Sequence, residues 1–184
     1  MNVITTPLEG LLILEPKIIR DDRGYFTESY NKHALEAKTG YSTPFVQDNQ
    51  ALSSKNVLRG LHYQNHPAPQ AKLIRVLQGR IWDVVVDIRK RSKTYKQWFG
   101  VELSAENFRQ FLIPHGFAHG YAVLSDTAEV FYKCDNFYNK ESEGGVFYDD
   151  PELGIDWKIN LADAIISEKD KNQPSFKDMH NLFE

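Results

Sequence analysis

The 184-residue sequence predicts an all-β fold, a sandwich or barrel of short strands with a few short helices at its periphery. Apolar or alternating runs recur at short, fairly regular intervals with turn residues between them, the pattern of a closed β architecture. Only one stretch carries both the start and the stop signals of a helix. The length suits one domain, residues 1–184, with a sizeable core, and no repeat, linker or low-complexity tract interrupts it.

The elements follow in order. "GLLILEPKIIRD" reads as an extended pair broken at Pro16. "NKHALEAKTG" (31–40) reads as a short helix, with Asn31 as its N-cap and Gly40 as its stop. Strands then dominate: "FVQDNQALS", "LRGLHYQ", "AKLIRVLQ", "RIWDVVVDI", "WFGVELS", "NFRQFLIP", "HGYAVLS" and "AEVFYKCDN". "KLIRVLQGRIWDVVVDI" gives the clearest hairpin signal, with Gly79 at the turn. The tail from Gly154 onward is more irregular and is expected to pack on the outside.

Composition excludes some functions. Net charge is -3, from 22 basic and 25 acidic residues, so nothing draws the chain as a whole to nucleic acid, and local Arg and Lys must meet any anionic ligand. The single cysteine, Cys134, precludes an internal disulfide and reads as a small core residue. No apolar run approaches a membrane span, and "MNVITTPLEG" lacks the regions of a signal peptide, so the expected setting is the cytoplasm, with no membrane partner.

"VLRGLHYQ" (57–64) carries the first chemical signal. Small barrels of the cupin class hold metals with a His-x-His pair, a following Glu and a spaced Gly, together with a second element, Pro-x-Gly-x-x-His. The second element stands intact as Pro114, Gly116 and His119. In the first, His62 is in place, Gln64 replaces the second His, and Lys72, with six residues between it and Gly79, replaces the Glu. A lysine ammonium has no lone pair and repels a divalent ion, and two histidines are too few for tight binding, so no metal is expected. A converging pocket with a cation in it can instead stabilise negative charge developing on a bound oxygen, such as an enolate. An imidazole, with a reference pKa of about 6.5, suits the base that would form one. The plainer alternatives are that Lys72 runs to solvent from an edge strand and that His62 is structural.

The runs "RDDRGYFTESY", "RGLHYQ", "QAKLIRVLQGRIWDVVVDIR", "IPHGFAHG", "VFYKCDNFY" and "SEKD" together resemble the dTDP-4-dehydrorhamnose 3,5-epimerase family, in order from about Gly10 to Asp170. The resemblance implies a cupin-type jelly roll, a homodimer, no cofactor, and inversion of carbons 3 and 5 of dTDP-4-dehydro-6-deoxy-D-glucose. It implies His62 as base, Asp170 as its carboxylate partner, Tyr132 as proton donor and Lys72 as enolate stabiliser. His119 would contact the sugar, and Arg59 with Arg23 the diphosphate. Glu28, Gln47, Asp48 and Asn49 would lie at the base and sugar, Tyr138 would stack on the thymine, and Glu143 and Lys169 would add contacts. Arg23, Phe26 and Glu28 would reach the partner subunit's site. Taken singly, Tyr132 and Tyr138 are ordinary strand aromatics, and Asp170 and Arg23 ordinary surface charges. A single-centre epimerase on a related ketosugar, a metal-dependent cupin oxygenase and a non-catalytic sugar-binding cupin are the alternatives.

Overall fold

The computed structural model describes residues 1–181 and 183–184. Thirteen strands and two α-helices follow one another: β1 (Asn2–Thr5), β2 (Leu12–Glu15), β3 (Ile19–Asp21), β4 (Gly24–Phe26), α1 (Lys32–Thr39), β5 (Gln47–Ser54), β6 (Leu58–Gln64), β7 (Lys72–Gln78), β8 (Arg80–Asp87), β9 (Trp98–Ser104), β10 (Gln110–Ile113), β11 (Phe117–Val123), β12 (Thr127–Cys134), β13 (Glu143–Gly145) and α2 (Glu168–Lys171). They build a cupin-type jelly roll. A six-stranded antiparallel sheet, in the order β1-β2-β10-β7-β12-β5, faces a five-stranded one, β13-β6-β11-β8-β9, and β3-β4 is a separate hairpin.

Period-two alternation assigns the faces. Ile74 and Val76 of β7, Val130 of β12, Ile81 and Val85 of β8, and Val123 of β11 all enter the core between the sheets. The alternate residues Val84 and Val86 of β8 point outward, where Leu153 and, from the tail, Trp157, Phe176 and Phe183 cover them. The irregular tail therefore packs outside the sandwich as expected, and it explains why β8 is apolar on both faces. Helix α1 is capped by Asn31, whose side chain accepts from Ala34 N–H, and stops at Gly40, which has φ 75°. It buries Leu35 on the outer face of the six-stranded sheet beside Leu14, Leu73 and Leu112.

The hairpin read at "KLIRVLQGRIWDVVVDI" does not form. β7 lies between β10 and β12, whereas β8 lies between β11 and β9 in the opposite sheet. Gly79, with φ 72°, turns a corner between sheets, and a Cβ there would sit 2.0 Å from the Thr127 carbonyl oxygen. Both strands carry apolar residues facing the same core, so they pack face to face rather than edge to edge. A glycine between two apolar runs is compatible with either arrangement. No helix among the described residues is long and apolar enough to cross a membrane.

Candidate active site

One end of the sandwich interior is polar. A cavity of about 570 Å³ opens there, lined by Arg59, His62, Lys72, His119, Tyr121, Tyr132, Lys169 and Asp170, with Ile165 and Ile166 at its edge. Strand register makes the convergence. Tyr132 pairs with Asn49 of β5 and Ile74 of β7, and Cys134 pairs with Lys72, so Lys72, Tyr132 and Asn49 occupy the same end of the six-stranded sheet. In the facing sheet His119 lies directly opposite His62, and Tyr121 opposite Arg59.

That last register holds a bulge. One residue of β11, Gly120, separates its pairing positions, against two of β6, Gly60 and Leu61. Residues three apart on a regular strand point to opposite faces, and the extra residue brings Arg59 and His62 to the same one. Gly60 permits it: its φ is 123°, and a Cβ would fall 2.6 Å from the Gly120 Cα. The bulge also frees the Gly60 N–H, which donates to Asp170 Oδ2 at 3.1 Å.

Asp170 Oδ1 lies 2.7 Å from His62 Nε2, and its side chain is only 4% exposed. Burial acts to raise the Asp170 pKa, but the bonds from His62 and the Gly60 N–H outweigh it and leave the carboxyl below its usual range. An ionised carboxylate only accepts, so Nε2 carries a proton, and in the neutral imidazole Nδ1 keeps its lone pair. Ser167 positions this aspartate by capping α2: its hydroxyl accepts from the Asp170 N–H at 3.1 Å.

His119 repeats the arrangement. Its Nε2 lies 2.9 Å from Oδ1 of Asp83, a fully buried carboxylate. Burial lowers the His119 pKa, against the Asp83 charge, and the nearby Lys72 charge lowers it further. Lys72 projects from a central strand of its sheet, not from an edge. Burial lowers its pKa, with the charge of Asp83 among those opposing the shift. Tyr132 is raised, first by burial, so its phenol stays protonated at neutral pH. Arg59 is steered by Ser53, whose hydroxyl accepts from the guanidinium Nε at 3.1 Å.

A rim of hydrogen bonds extends from the cavity. Lys169 Nζ reaches Glu143 Oε1 at 2.5 Å, and the Tyr138 hydroxyl donates to Glu143 Oε2 at 3.3 Å. The Tyr138 N–H donates to Gln47 Oε1 at 2.9 Å, and Gln47 Nε2 donates to Asn49 Oδ1 at 3.1 Å. Other candidate residues lie elsewhere. Asp48 faces outward from β5 and pairs with Lys133 at 2.9 Å. Arg23 sits on the exposed β3-β4 turn, paired with Asp21, and Phe26 on β4 is 67% exposed. Glu28 borders a different cleft, beside α1. Gln64 ties down a loop: its Nε2 donates to the carbonyls of Ala68 and Phe137, and its Oε1 accepts from Asn139 N–H.

The donor set does not suit a divalent ion. Both imidazoles spend Nε2 on a carboxylate, and a lysine stands where an acidic ligand would be. No cluster of three or more His, Cys, Asp or Glu side chains able to hold a metal occurs among the described residues. Reading the sequence alone missed Asp83, Ser53, Tyr121 and Ser167. Asp83 left a signal: within "IWDVVVD" it is a charge at the core-facing phase of an apolar strand.

Comparisons with known proteins show the family. Residues 5–178 match the family model described as dTDP-4-dehydrorhamnose 3,5-epimerase. A protein of that name from Shigella flexneri is 50% identical over 178 residues, 97% of each chain. The crystal structure of the dTDP-4-dehydrorhamnose 3,5-epimerase from Elizabethkingia anophelis superposes with a TM-score of 0.93 at 56% identity, covering 97% of both chains. That of the dTDP-6-deoxy-D-glucose-3,5-epimerase from Legionella pneumophila, in complex with dTDP-4-keto-L-rhamnose, gives 0.92 at 48% identity, covering 96% of this chain and 93% of the other. An all-β sandwich with a His–Asp pair, a lysine and a tyrosine in one polar cavity, matched to these relatives over nearly its whole length, belongs to the dTDP-4-dehydrorhamnose 3,5-epimerase family.

Proposed function

We propose that the protein inverts carbons 3 and 5 of dTDP-4-dehydro-6-deoxy-D-glucose, giving dTDP-4-dehydro-L-rhamnose. The observation that carries this reading is the placement of His62 and Tyr132 on opposite sheets across one cavity, with Lys72 beside them. The ketone at carbon 4 acidifies the protons on both neighbouring carbons, so one base and one enolate stabiliser serve both. His62 Nδ1 takes the proton, the electron pair of the C–H bond forms a double bond to carbon 4, and the carbonyl π pair moves onto the carbon-4 oxygen. The Lys72 ammonium, a hydrogen-bond donor only, stabilises the enolate. The Tyr132 hydroxyl delivers a proton to the opposite face and inverts the centre. Solvent then resets both groups, and the sequence repeats at the second carbon.

Arg59, oriented by Ser53, takes the diphosphate, for which a planar guanidinium fork is suited. The rim of Tyr138, Gln47, Asn49, Glu143 and Lys169 takes the nucleoside end, and His119 the sugar. The unit that works is one domain in a homodimer. Arg23, Phe26 and Glu28 belong to a partner's site in this reading, supported by their absence from the lining of their own cavity and by the uncovered Ile19, Tyr25 and Phe26 on the β3-β4 hairpin. The relative from Legionella pneumophila with dTDP-4-keto-L-rhamnose bound supports the substrate class. A cytoplasmic setting agrees with the free thiol of Cys134.

Incubation with the dTDP ketosugar in deuterated water, followed by NMR, tests the reading. Deuterium at both carbons with inverted product is expected. Labelling at one carbon alone makes the protein a single-centre epimerase, and labelling at neither removes the assignment.

A further inference from the structure

Asp83 sits in the wall of the sandwich, fully buried, with one carboxylate oxygen bonded to His119 and the other without a hydrogen-bond partner. Burying a carboxylate costs several kcal/mol unless its neighbours compensate, and the core-facing neighbours of Asp83 on β8 are Ile81 and Val85. Its polar surroundings are the imidazole of His119 and, without a hydrogen bond to it, the phenol of Tyr121, its cross-strand partner, and the ammonium of Lys72.

An ionised Asp83 makes Nε2 the protonated nitrogen of His119. Among the described residues none bonds Nδ1, so the only group His119 can offer the cavity is an unprotonated lone pair. Lys72 in the same cavity offers only donors. The two side chains therefore present opposite hydrogen-bonding polarities to whatever enters. A ketone oxygen can satisfy Lys72 and cannot satisfy His119, whereas a hydroxyl proton can satisfy His119. With sugar carbons of both kinds on one ring, this pair distinguishes one orientation of the ring from its reverse.

We propose that Asp83 is a positioning residue that holds His119 as a neutral, acceptor-only imidazole, so that this wall of the cavity takes a sugar hydroxyl and leaves the ketone to Lys72. The proposal rests on the ketosugar reading for its ligand, but the state of His119 is independent of it. Asp83→Asn keeps the size of the side chain and can turn an amide N–H toward Nε2. His119 would then carry its proton on Nδ1 and confront a ligand hydroxyl as a donor.

Long-range proton–nitrogen correlation NMR on the ligand-free protein reads the imidazole tautomer directly. At pH 7.5 His119 should be neutral and protonated at Nε2; an imidazolium or an Nδ1–H tautomer overturns the proposal, whether or not any variant folds. In Asp83→Asn the tautomer should switch. Free dTDP should bind that variant within about twofold of the parent, while dTDP-L-rhamnose should bind about tenfold more weakly, the usual effect of one mispaired hydrogen bond. In a His119→Gln background the same substitution should change dTDP-L-rhamnose binding by less than about twofold, because its effect passes through His119. Equal weakening in both backgrounds, or equal weakening of dTDP and dTDP-L-rhamnose, overturns it. Failure of the parent protein to bind any dTDP sugar, with the expected tautomer in place, counts against the ketosugar reading and not against the assignment of Asp83.

Discussion

His62 and Asp170, 108 residues apart in the chain, meet at 2.7 Å. The histidine comes from a bulged strand in the sandwich and the aspartate from a four-residue helix in the tail laid against it. The bulge that turns His62 into the cavity also exposes the Gly60 N–H that holds the second oxygen of the aspartate. One local irregularity thus both aims the base and anchors its partner.

His62→Ala should abolish solvent exchange at both sugar carbons while free dTDP still binds. General-base catalysis contributes about 10²–10⁴-fold, which sets the scale of the loss. Asp170→Asn should give a related, smaller defect, because an amide N–H facing Nε2 drives the imidazole proton to Nδ1. Exchange rates by NMR decide: full exchange in His62→Ala would place the base elsewhere.

Tyr132→Phe removes only the hydroxyl. Proton abstraction on the His62 face does not need it, so deuterium should still enter the ketosugar with configuration retained. Inverted product should fall by about 10²-fold or more. Burial raises the Tyr132 pKa, so a decline of the parent enzyme's rate from loss of this proton should appear only above pH 10. Production of the double epimer by the phenylalanine variant at the parental rate would transfer the donor role to Tyr138 or to water.

Lys72 occupies the place of an acidic metal ligand, and its ammonium meets no carboxylate at ion-pair distance among the described residues. Chelators should therefore leave turnover unchanged. Lys72→Met, similar in length and uncharged, should lower kcat by about 10²–10³-fold, the scale for removing one donor from a developing oxyanion. Activity lost to a chelator and restored by a divalent ion would contradict this account.

Asp135 supports the protein rather than the reaction. Its buried carboxylate accepts from the Tyr41 hydroxyl and the Ala71 N–H, each at 2.7 Å, and lies 2.7 Å from His115 Nε2. Burial acts to raise its pKa, but these bonds prevail and lower it. A depressed carboxylate contributes stability that is present above the unfolded pKa of about 3.9 and is lost as pH falls through the folded value. Asp135→Asn should therefore cost about 2–3 kcal/mol near pH 7, on the scale of hydrogen bonds to a charged group. Thermal melts of the two proteins should converge below about pH 3, since both then carry a neutral side chain. A difference independent of pH would assign the loss to packing instead.

The sequence by itself determined the all-β class, the α1 boundaries and the identity of the chemical groups, because these rest on local signals: alternation, an N-cap asparagine, a left-handed glycine and the residue types of a metal-site pattern without its metal ligands. It also marked His62, Lys72, His119, Tyr132 and Asp170 as one set through the family's motifs, and the fold brings all five to one cavity. Tertiary structure alone decided the corner at Gly79, since the same local residues serve a hairpin or a crossing and only packing against the opposite sheet selects between them. It decided the bulge at Gly60, which depends on how β6 meets β11. It decided that Asp83 faces His119, a contact between strands that no spacing along the chain records. The outward turn of Asp48 and the absence of Arg23, Phe26 and Glu28 from the lining of their own cavity belong to the same class. Sequence motifs specify which groups are present, but their directions depend on register and sheet assignment, and those are set by long-range burial of apolar faces.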